Sequence, residues 1–230
     1  MTDELVREGL ALVEDASADD LVLRLLGGAA IVLHTSGFVH REIADLDAAT
    51  RGADARRLAD TLRRRGYEPE ARFNALHGNR RLIFHGPVGK LDVFVDTFEM
   101  CHRIDLRSRL ALDSPTLTVS DLLLTKLQVV ELNAKDALDV FLLLEHHELL
   151  GGSGDHIDIE YFAHLTGDDW GLWRTMTNTL ERVAELEPSV ASKSFALKEV
   201  LDEAPKSRGF KLRAKVGERK RWYELPEDMG

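Results

Sequence analysis

Two aspartates separated by one leucine, Asp45 and Asp47, are the first residues of this sequence whose spacing suggests chemistry. They fall in the segment HREIADLDAAT (40–50), whose alternating apolar and polar residues predict a β-strand. In a strand, residues two apart project from the same face, roughly 7 Å apart at the backbone, so both carboxylates can converge on one divalent cation. The alternative is a solvated strand face, because charged side chains are mostly exposed.

A third aspartate, Asp92, lies in the segment KLDVFVDTF (90–98), a second predicted strand that is otherwise apolar in its middle. A carboxylate in such surroundings costs free energy unless a cation or hydrogen-bond donors accompany it. Asp96 faces the same way but is roughly 13 Å away along the strand, so only one of the two can join Asp45 and Asp47. Asp92 is the better candidate, since water can solvate Asp96 at the strand end.

Two adjacent glycines, Gly27 and Gly28, separate the apolar run LVLRLL (21–26) from AAIVLHTS (29–36), which can continue as a helix. Glycine at such a turn lets backbone N–H groups approach a phosphate closely, and a helix N-terminus favours an anion. The same glycines can serve the geometry of the turn alone, so they become informative only together with the aspartates.

The hydrophobic periodicity predicts an α+β fold, in which a small mixed β-sheet flanked by helices is followed by a C-terminal helical bundle. The expected domains are residues 1–116, which contain the aspartates, residues 117–204, which are helical, and a basic tail, 205–230. The turn GPVG joins two of the strands. The elements predicted after the glycine pair and the first strand are the helix 54–66, the strands 79–86 and 90–98, and the helices 120–133, 134–150, 168–187 and 188–203.

Composition indicates an ordinary globular chain, with 44% hydrophobic and 30% charged residues among 230. No apolar run reaches the roughly 18 to 20 residues needed to span a bilayer, and the N-terminus lacks the basic segment of a signal peptide, so no membrane association is expected. The single cysteine, Cys101, excludes an internal disulfide and is in keeping with a reducing cytoplasm. The sequence leaves the oligomeric state open.

The net charge of −10 is unevenly distributed along the chain. Residues 206–221 contain eight Lys or Arg and one Glu, a local charge of +7 that leaves −17 on the rest. Only this C-terminal segment is therefore suited to attract a polyanion such as a nucleic acid. Its alternation of apolar and basic residues from Phe210 to Val216 predicts an edge strand or a flexible basic arm, with Trp222 and Tyr223 as candidate stacking platforms.

Taken in order, these motifs resemble the DNA polymerase β-like nucleotidyltransferase superfamily, and especially its minimal and AbiEii-type branch. That family has a Gly-Gly or Gly-Ser turn, an Asp-x-Asp motif further along the chain and a third acidic residue on a following strand. The residues that carry this resemblance are Gly27, Gly28, Asp45, Asp47 and Asp92.

Two further features resemble the AbiEii-type branch in particular. Arg41 stands shortly before the Asp-x-Asp motif, where that branch often has an arginine. The branch also tends to have a helix that contains a lysine, followed by a Lys-Asp-x-x-Asp helix. The matching residues are Lys126, Lys135, Asp136 and Asp139.

The resemblance implies transfer of a nucleoside monophosphate from an NTP to an acceptor, with pyrophosphate leaving. Mg²⁺ (or Mn²⁺), held by Asp45, Asp47 and Asp92, would neutralise the phosphate oxygens and orient an in-line attack, with Asp92 as a candidate general base. The acceptor stays open among a tRNA, a protein hydroxyl and a small molecule, and a link to toxin–antitoxin pairs rests on the resemblance alone. The alternative is an inactive nucleotide-binding or protein-interaction module with the same fold.

Three cations, Arg41, Lys90 and Lys126, are candidates to contact the triphosphate or the leaving pyrophosphate. Each also has a purely structural interpretation. Arg41 and Lys90 can be ordinary surface residues, and Lys126 can form a buried ion pair with Asp136 or Asp139. The sequence does not choose between these interpretations.

Overall fold

The structure, a computed structural model, describes residues 2–35 and 43–225. Arg41 lies outside the described residues, so its role stays a prediction. The chain divides into two compact units. Unit 1 comprises residues 1–99 and 103–118, and unit 2 comprises residues 100–102 and 119–230. The α+β class expected from the sequence is confirmed by the mixed sheet of unit 1 and the helices of unit 2.

Unit 1 is organised around a five-stranded mixed sheet. Its strands are β1 (Leu23–Leu26), β2 (Leu46–Thr50), β3 (Glu68–Pro69), β4 (Arg81–Gly86) and β5 (Gly89–Val95), followed by a short hairpin of β6 (Thr97–Glu99) and β7 (Arg103–Asp105). The strand order is β1-β2-β5-β4-β3. β2 and β5 are parallel neighbours, whereas the other pairs in this sheet are antiparallel. The turn GPVG closes the β4–β5 hairpin as predicted, with Gly86 paired to Gly89.

One face of this sheet forms the core of unit 1. The helices of the unit are α1 (Thr2–Ala18), α2 (Gly27–His34), α3 (Ala55–Arg64) and α4 (Ala71–His77). α1 packs closely on the sheet, because a β-carbon at Gly9 would lie only 3.0 Å from the Leu25 side chain and 3.4 Å from that of Leu46. Leu25 and Leu46 are fully buried, and each such side chain contributes about 1.5–3 kcal/mol to stability. The alternation of side chains along the strands therefore leaves the opposite face for Asp47 and Asp92.

Two predicted strands are shorter in the structure than in the sequence pattern. Among the described residues, the strand predicted at 40–50 begins only at Leu46, and Asp45 lies at a bend before it. Its neighbour β1 pairs no further than Leu26 with Asp47, because the chain turns into α2 at the next residue. The strand predicted at 90–98 ends at Val95, since Asp96 adopts a left-handed conformation with φ of 59°.

Unit 2 is mainly helical. Its elements are α5 (Val119–Leu127), α6 (Ala134–His146), β8 (Leu149–Leu150), β9 (Ile157–Asp158), α7 (Ile159–Asp168), α8 (Trp170–Leu186), α9 (Ala191–Glu203) and α10 (Arg208–Val216). Side chains of Asn133, Asp158 and Asp169 accept hydrogen bonds from first-turn amides and so begin α6, α7 and α8. Within the described part of the chain, no helix is both long and apolar enough to cross a membrane.

The basic C-terminal segment folds as a helix, so the predictions of an edge strand and of a flexible arm were wrong for residues 208–216. α10 begins after Ser207, whose hydroxyl accepts a hydrogen bond from the amide of Phe210. Phe210 is buried, whereas Leu212 and Val216 are exposed. The strand-like alternation was misleading because these apolar residues do not share one buried face.

The residues after α10 are held against the rest of unit 2. The indole N–H of Trp222 donates to the Thr175 hydroxyl at 3.1 Å, so its polar edge is already engaged. The amide of Glu224 donates to the carbonyl of Cys101 at 3.1 Å. Cys101 is 5% exposed, and burial raises the pKa of its thiol. The lone cysteine is therefore a buried residue whose backbone is bonded to the C-terminal segment.

Candidate functional site

Two of the three predicted carboxylates meet on neighbouring parallel strands. Asp47 on β2 is paired in register with Asp92 on β5, and side chains at paired positions project from the same face of a sheet. Asp92 is 2% exposed, and Asp47 is half-buried. The fold thus brings together two acidic side chains from distant parts of the chain.

Asp45 lies near the same end of β2 but outside the strand. It is half-buried at the bend that precedes Leu46. The chain at this point passes the start of β5, since a β-carbon at Gly89 would lie 3.8 Å from the carbonyl oxygen of Ala44. The structure therefore places Asp45 directly before β2, without the strand alternation that the sequence predicted.

The two predicted glycines are the first two residues of α2. Gly27 has a φ of +62°, a conformation that side chains other than that of glycine rarely adopt, and a β-carbon there would collide with Oδ2 of Asp47. The residue before it, Leu26, makes no side-chain hydrogen bond to the helix. Glycine at position 27 therefore lets the helix N-terminus and the Asp47 carboxylate lie against each other.

The buried carboxylate of Asp92 is shared by two cations. Nζ of Lys90 lies 2.7 Å from Oδ2, and the Arg81 guanidinium lies 3.0 Å from Oδ1 through Nη2 and 3.1 Å through Nε. The guanidinium carbon of Arg81 also lies 5.3 Å from the ring centroid of Phe94 and 6.0 Å from that of Phe73. Lys90 and Arg81 are therefore the cations that offset the free-energy cost of burying the Asp92 carboxylate.

Sequence reasoning missed Arg81, although the β4–β5 hairpin contained a signal for it. The tight turn sets the register, which pairs Ile83 with Asp92 and Arg81 with Phe94. Arg81 is then a diagonal neighbour of Asp92 on one face, roughly 7–8 Å away and within reach of a long side chain. Counting back from the GPVG turn would have identified it.

The predicted site residues of unit 2 form an ion cluster of their own. Nζ of Lys126 lies 2.8 Å from Oδ1 of Asp136 and 3.0 Å from Oδ2 of Asp139. Burial lowers the pKa of Lys126, but the two carboxylates outweigh it and hold the pKa above its ordinary value. Lys126 therefore forms an ion pair with both carboxylates, which is one of the two interpretations that the sequence left open.

An open cavity of about 380 Å³ lies in unit 1 beside the Asp92 cluster. Its walls come from α4 and from the facing side of β4, with Phe73, Leu76 and Ile83 as apolar lining. Lys90 also lines it. The same lysine therefore contacts the buried carboxylate and borders a space large enough to hold a small molecule.

Comparison with known proteins gives similarity in fold only. The chain matches no protein-family model, and no curated protein matches its sequence. It is similar to an antigenic nucleotidyltransferase-like protein from Paracoccidioides brasiliensis, with 15% identity, a TM-score of 0.48, and coverage of 89% of this chain and 95% of the other. The antibiotic-resistance factor ANT(2'')-Ia gives 14% identity and a TM-score of 0.47 over 63% of this chain and 85% of its own.

A third solved structure, described as a tRNA-processing enzyme, is similar over 92% of this chain and 62% of its own, with 16% identity and a TM-score of 0.31. At such low identities and TM-scores, none of these structures assigns a residue or an activity to this chain. The function has to be argued from the site itself.

Proposed function

We propose that this chain is a divalent-cation-dependent nucleotidyltransferase, which transfers a nucleoside monophosphate from an NTP to an acceptor. The observation that supports this most is the in-register pair of Asp47 and Asp92, with Gly27 directly against Asp47. Acidic side chains beside an uncapped, glycine-led helix N-terminus can accommodate both a cation and the phosphates that it accompanies.

The donor atoms of the site suit a hard cation. Asp45, Asp47 and Asp92 offer carboxylate oxygens, the ligands that Mg²⁺ and Mn²⁺ prefer. The missing β-carbon at Gly27 leaves the Asp47 carboxylate space against the helix. When bound, such a cation would neutralise charge on the triphosphate and on the transferred phosphoryl group.

The protein groups have separate roles in this proposal. Backbone amides of the first turn of α2, at Gly27 and Gly28, hold the phosphates. Asp92 accepts the proton of the acceptor hydroxyl as that oxygen bonds to the α-phosphorus and the bond to pyrophosphate breaks. Arg81 supplies positive charge beside the phosphates, whereas Lys90 balances the charge of the Asp92 carboxylate. Lys126, Asp136 and Asp139 have a structural role, because they contact one another.

The acceptor is proposed only as a class with three members, a tRNA, a protein hydroxyl or a small molecule. The basic segment 206–221 favours RNA, whereas the −17 charge on the remainder favours a cationic small molecule or a protein. A toxin–antitoxin role would follow from the sequence resemblance alone.

The experiment is thermal unfolding with Mg²⁺ and each NTP in turn, for the wild type and for Asp45→Asn/Asp47→Asn. A ligand that binds only the native state stabilises it by about 2.7 kcal/mol at a concentration 100 times its Kd. We expect one or more NTPs to raise the midpoint in a cation-dependent manner, and the double variant to lose this shift. The NTP that binds is then supplied with an α-phosphate label, to search for a labelled acceptor.

A matched control removes two exposed carboxylates elsewhere in unit 1, as Asp3→Asn/Asp60→Asn, and should keep the shift. The absence of a shift with every NTP in the wild type would contradict the proposal. A cation-dependent shift with no labelled acceptor from any of the three classes would instead favour the inactive nucleotide-binding module.

A further inference from the structure

The two cations at Asp92 differ in how firmly they are held. Arg81 contacts Oδ1 through two nitrogens and lies over the rings of Phe94 and Phe73. A planar guanidinium held by a carboxylate and aromatic faces has few alternative positions. Arg81 is therefore an anchored counter-ion.

Among the residues that the structure describes, Lys90 is held by one polar contact, from Nζ to Oδ2 of Asp92 at 2.7 Å. Its side chain is 37% exposed, whereas the Asp92 side chain is 3% exposed. Lysine is a compact charge on a flexible stem, and Lys90 already lines the cavity of about 380 Å³ between α4 and β4. This lysine can turn away from Asp92 without any movement of the backbone.

A divalent cation and the Lys90 ammonium would compete for the same oxygen. Arg81 occupies the Oδ1 side of Asp92, which leaves Oδ2 as the oxygen on the Lys90 side. Two cations at one carboxylate oxygen repel each other strongly in partly buried surroundings. Binding of a divalent cation at Asp92 therefore requires Lys90 to leave.

We propose that Lys90 is a displaceable counter-ion, which holds Oδ2 of Asp92 until a divalent cation takes that oxygen and then turns into the α4–β4 cavity. Lys90 is in this sense a positioning residue, and it sets the affinity of the site for the cation. This inference rests on the proposed function, since it takes the Asp47–Asp92 pair to be the cation site.

The test is direct titration with Mn²⁺, in which free Mn²⁺ is measured by electron paramagnetic resonance without any NTP. Removing the competitor in Lys90→Met should lower the Kd for Mn²⁺ about tenfold or more, since a charge pair to a buried carboxylate is lost. Lys90→Arg keeps a competing cation and should stay close to the wild type. Circular dichroism and the unfolding midpoint verify that each variant is folded, and Lys90→Gln serves as a second neutral variant.

Arg72→Met is the control that distinguishes displacement of Lys90 from a general effect of positive charge on Mn²⁺ binding. Arg72 lines the same cavity as Lys90 but is exposed and is not one of the two cations at Asp92. Its removal should change the Kd by about threefold or less, because solvent and salt screen it. Equal effects of Lys90→Met and Arg72→Met, or weaker Mn²⁺ binding by Lys90→Met, would overturn the inference.

The outcomes also distinguish this inference from the proposed function. Wild-type Mn²⁺ binding that is lost in Asp47→Asn, together with no gain in Lys90→Met, would refute displacement alone. No Mn²⁺ binding in either the wild type or Lys90→Met would refute both. Binding that appears only in Lys90→Met would also overturn displacement, because it would show that the cation cannot move Lys90 from Asp92 in the wild type.

Discussion

Two ion clusters in this molecule have opposite arrangements of charge. In unit 1, one buried carboxylate lies between two cations, whereas in unit 2 one buried ammonium lies between two carboxylates. The first cluster is Asp92 with Lys90 and Arg81, and the second is Lys126 with Asp136 and Asp139.

The clusters differ in the exposure of their outer members. The side chains of Lys90 and Arg81 are 37% and 34% exposed, whereas Asp136 is 16% exposed and Asp139 is completely buried. An ion with access to water can leave its partner at small cost, and a buried ion cannot. The comparison teaches that burial of the partners, rather than the number of charges, distinguishes an adaptable cluster from a structural one.

The largest expected effect comes from breaking the cluster of unit 2, which consists of Lys126, Asp136 and Asp139. Lys126→Met leaves Asp139 buried without its cation, and we expect the free energy of unfolding to fall by about 3–5 kcal/mol. Urea denaturation at neutral pH measures this loss. Lys135→Met, which removes an exposed lysine from the same helix as the two aspartates, should stay within about 0.5 kcal/mol of the wild type. Similar losses in both variants would contradict the structural role of Lys126.

Breaking the cluster of unit 1, which consists of Asp92, Lys90 and Arg81, should lower the free energy of unfolding by less. Asp92→Asn deprives Lys90 and Arg81 of their shared carboxylate, but Lys90 can turn to water and Arg81 keeps its contacts with two aromatic rings, so we expect a loss of about 1–2 kcal/mol. The measurement is urea denaturation in EDTA, with exposed Asp60→Asn as the control. A loss as large as that of Lys126→Met would show that the two clusters are equally rigid.

The smallest expected effect is a pH dependence of the free energy of unfolding, which only the Lys126 cluster of unit 2 should show. The two aspartates hold the pKa of Lys126 above 10.5, against the opposing effect of burial. Because the native pKa is raised, its contribution to stability is complete below about pH 10 and is lost as the pH rises through the native pKa. The difference in unfolding free energy between the wild type and Lys126→Met should therefore be constant up to about pH 10 and shrink as the pH is raised further. A difference that stays constant above that pH would contradict this assignment.

Much of the fold could be predicted from the sequence because local signals agreed with the final structure. Glycines marked the start of α2, GPVG fixed the β4–β5 turn, and the change of period near residue 117 marked the helical part. The prediction failed for α10, where alternating apolar and basic residues indicated a strand. Propensity and period cannot show that only Phe210 finds a buried place, since burial depends on the rest of unit 2.

At the candidate site, the sequence indicated the acidic residues and Lys90, but it indicated neither Arg81 nor the pairing of Lys90 with Asp92. Asp92 was recognisable because a charge in an apolar strand requires a partner, but the identity of that partner depended on strand register. Arg81 became visible only once Ile83 was paired with Asp92. For Lys126 the sequence left phosphate contact and an ion pair equally open, whereas the distance to Asp139 favours the ion pair.

The lone cysteine, Cys101, can be used to measure local opening of the structure. The thiol of Cys101 is buried, its pKa is raised by that burial, and its own carbonyl binds the amide of Glu224. An alkylating reagent reaches this buried thiolate during local opening of the structure around Cys101. The rate of alkylation therefore reports how often that opening occurs, and the experiment needs no labelling mutation.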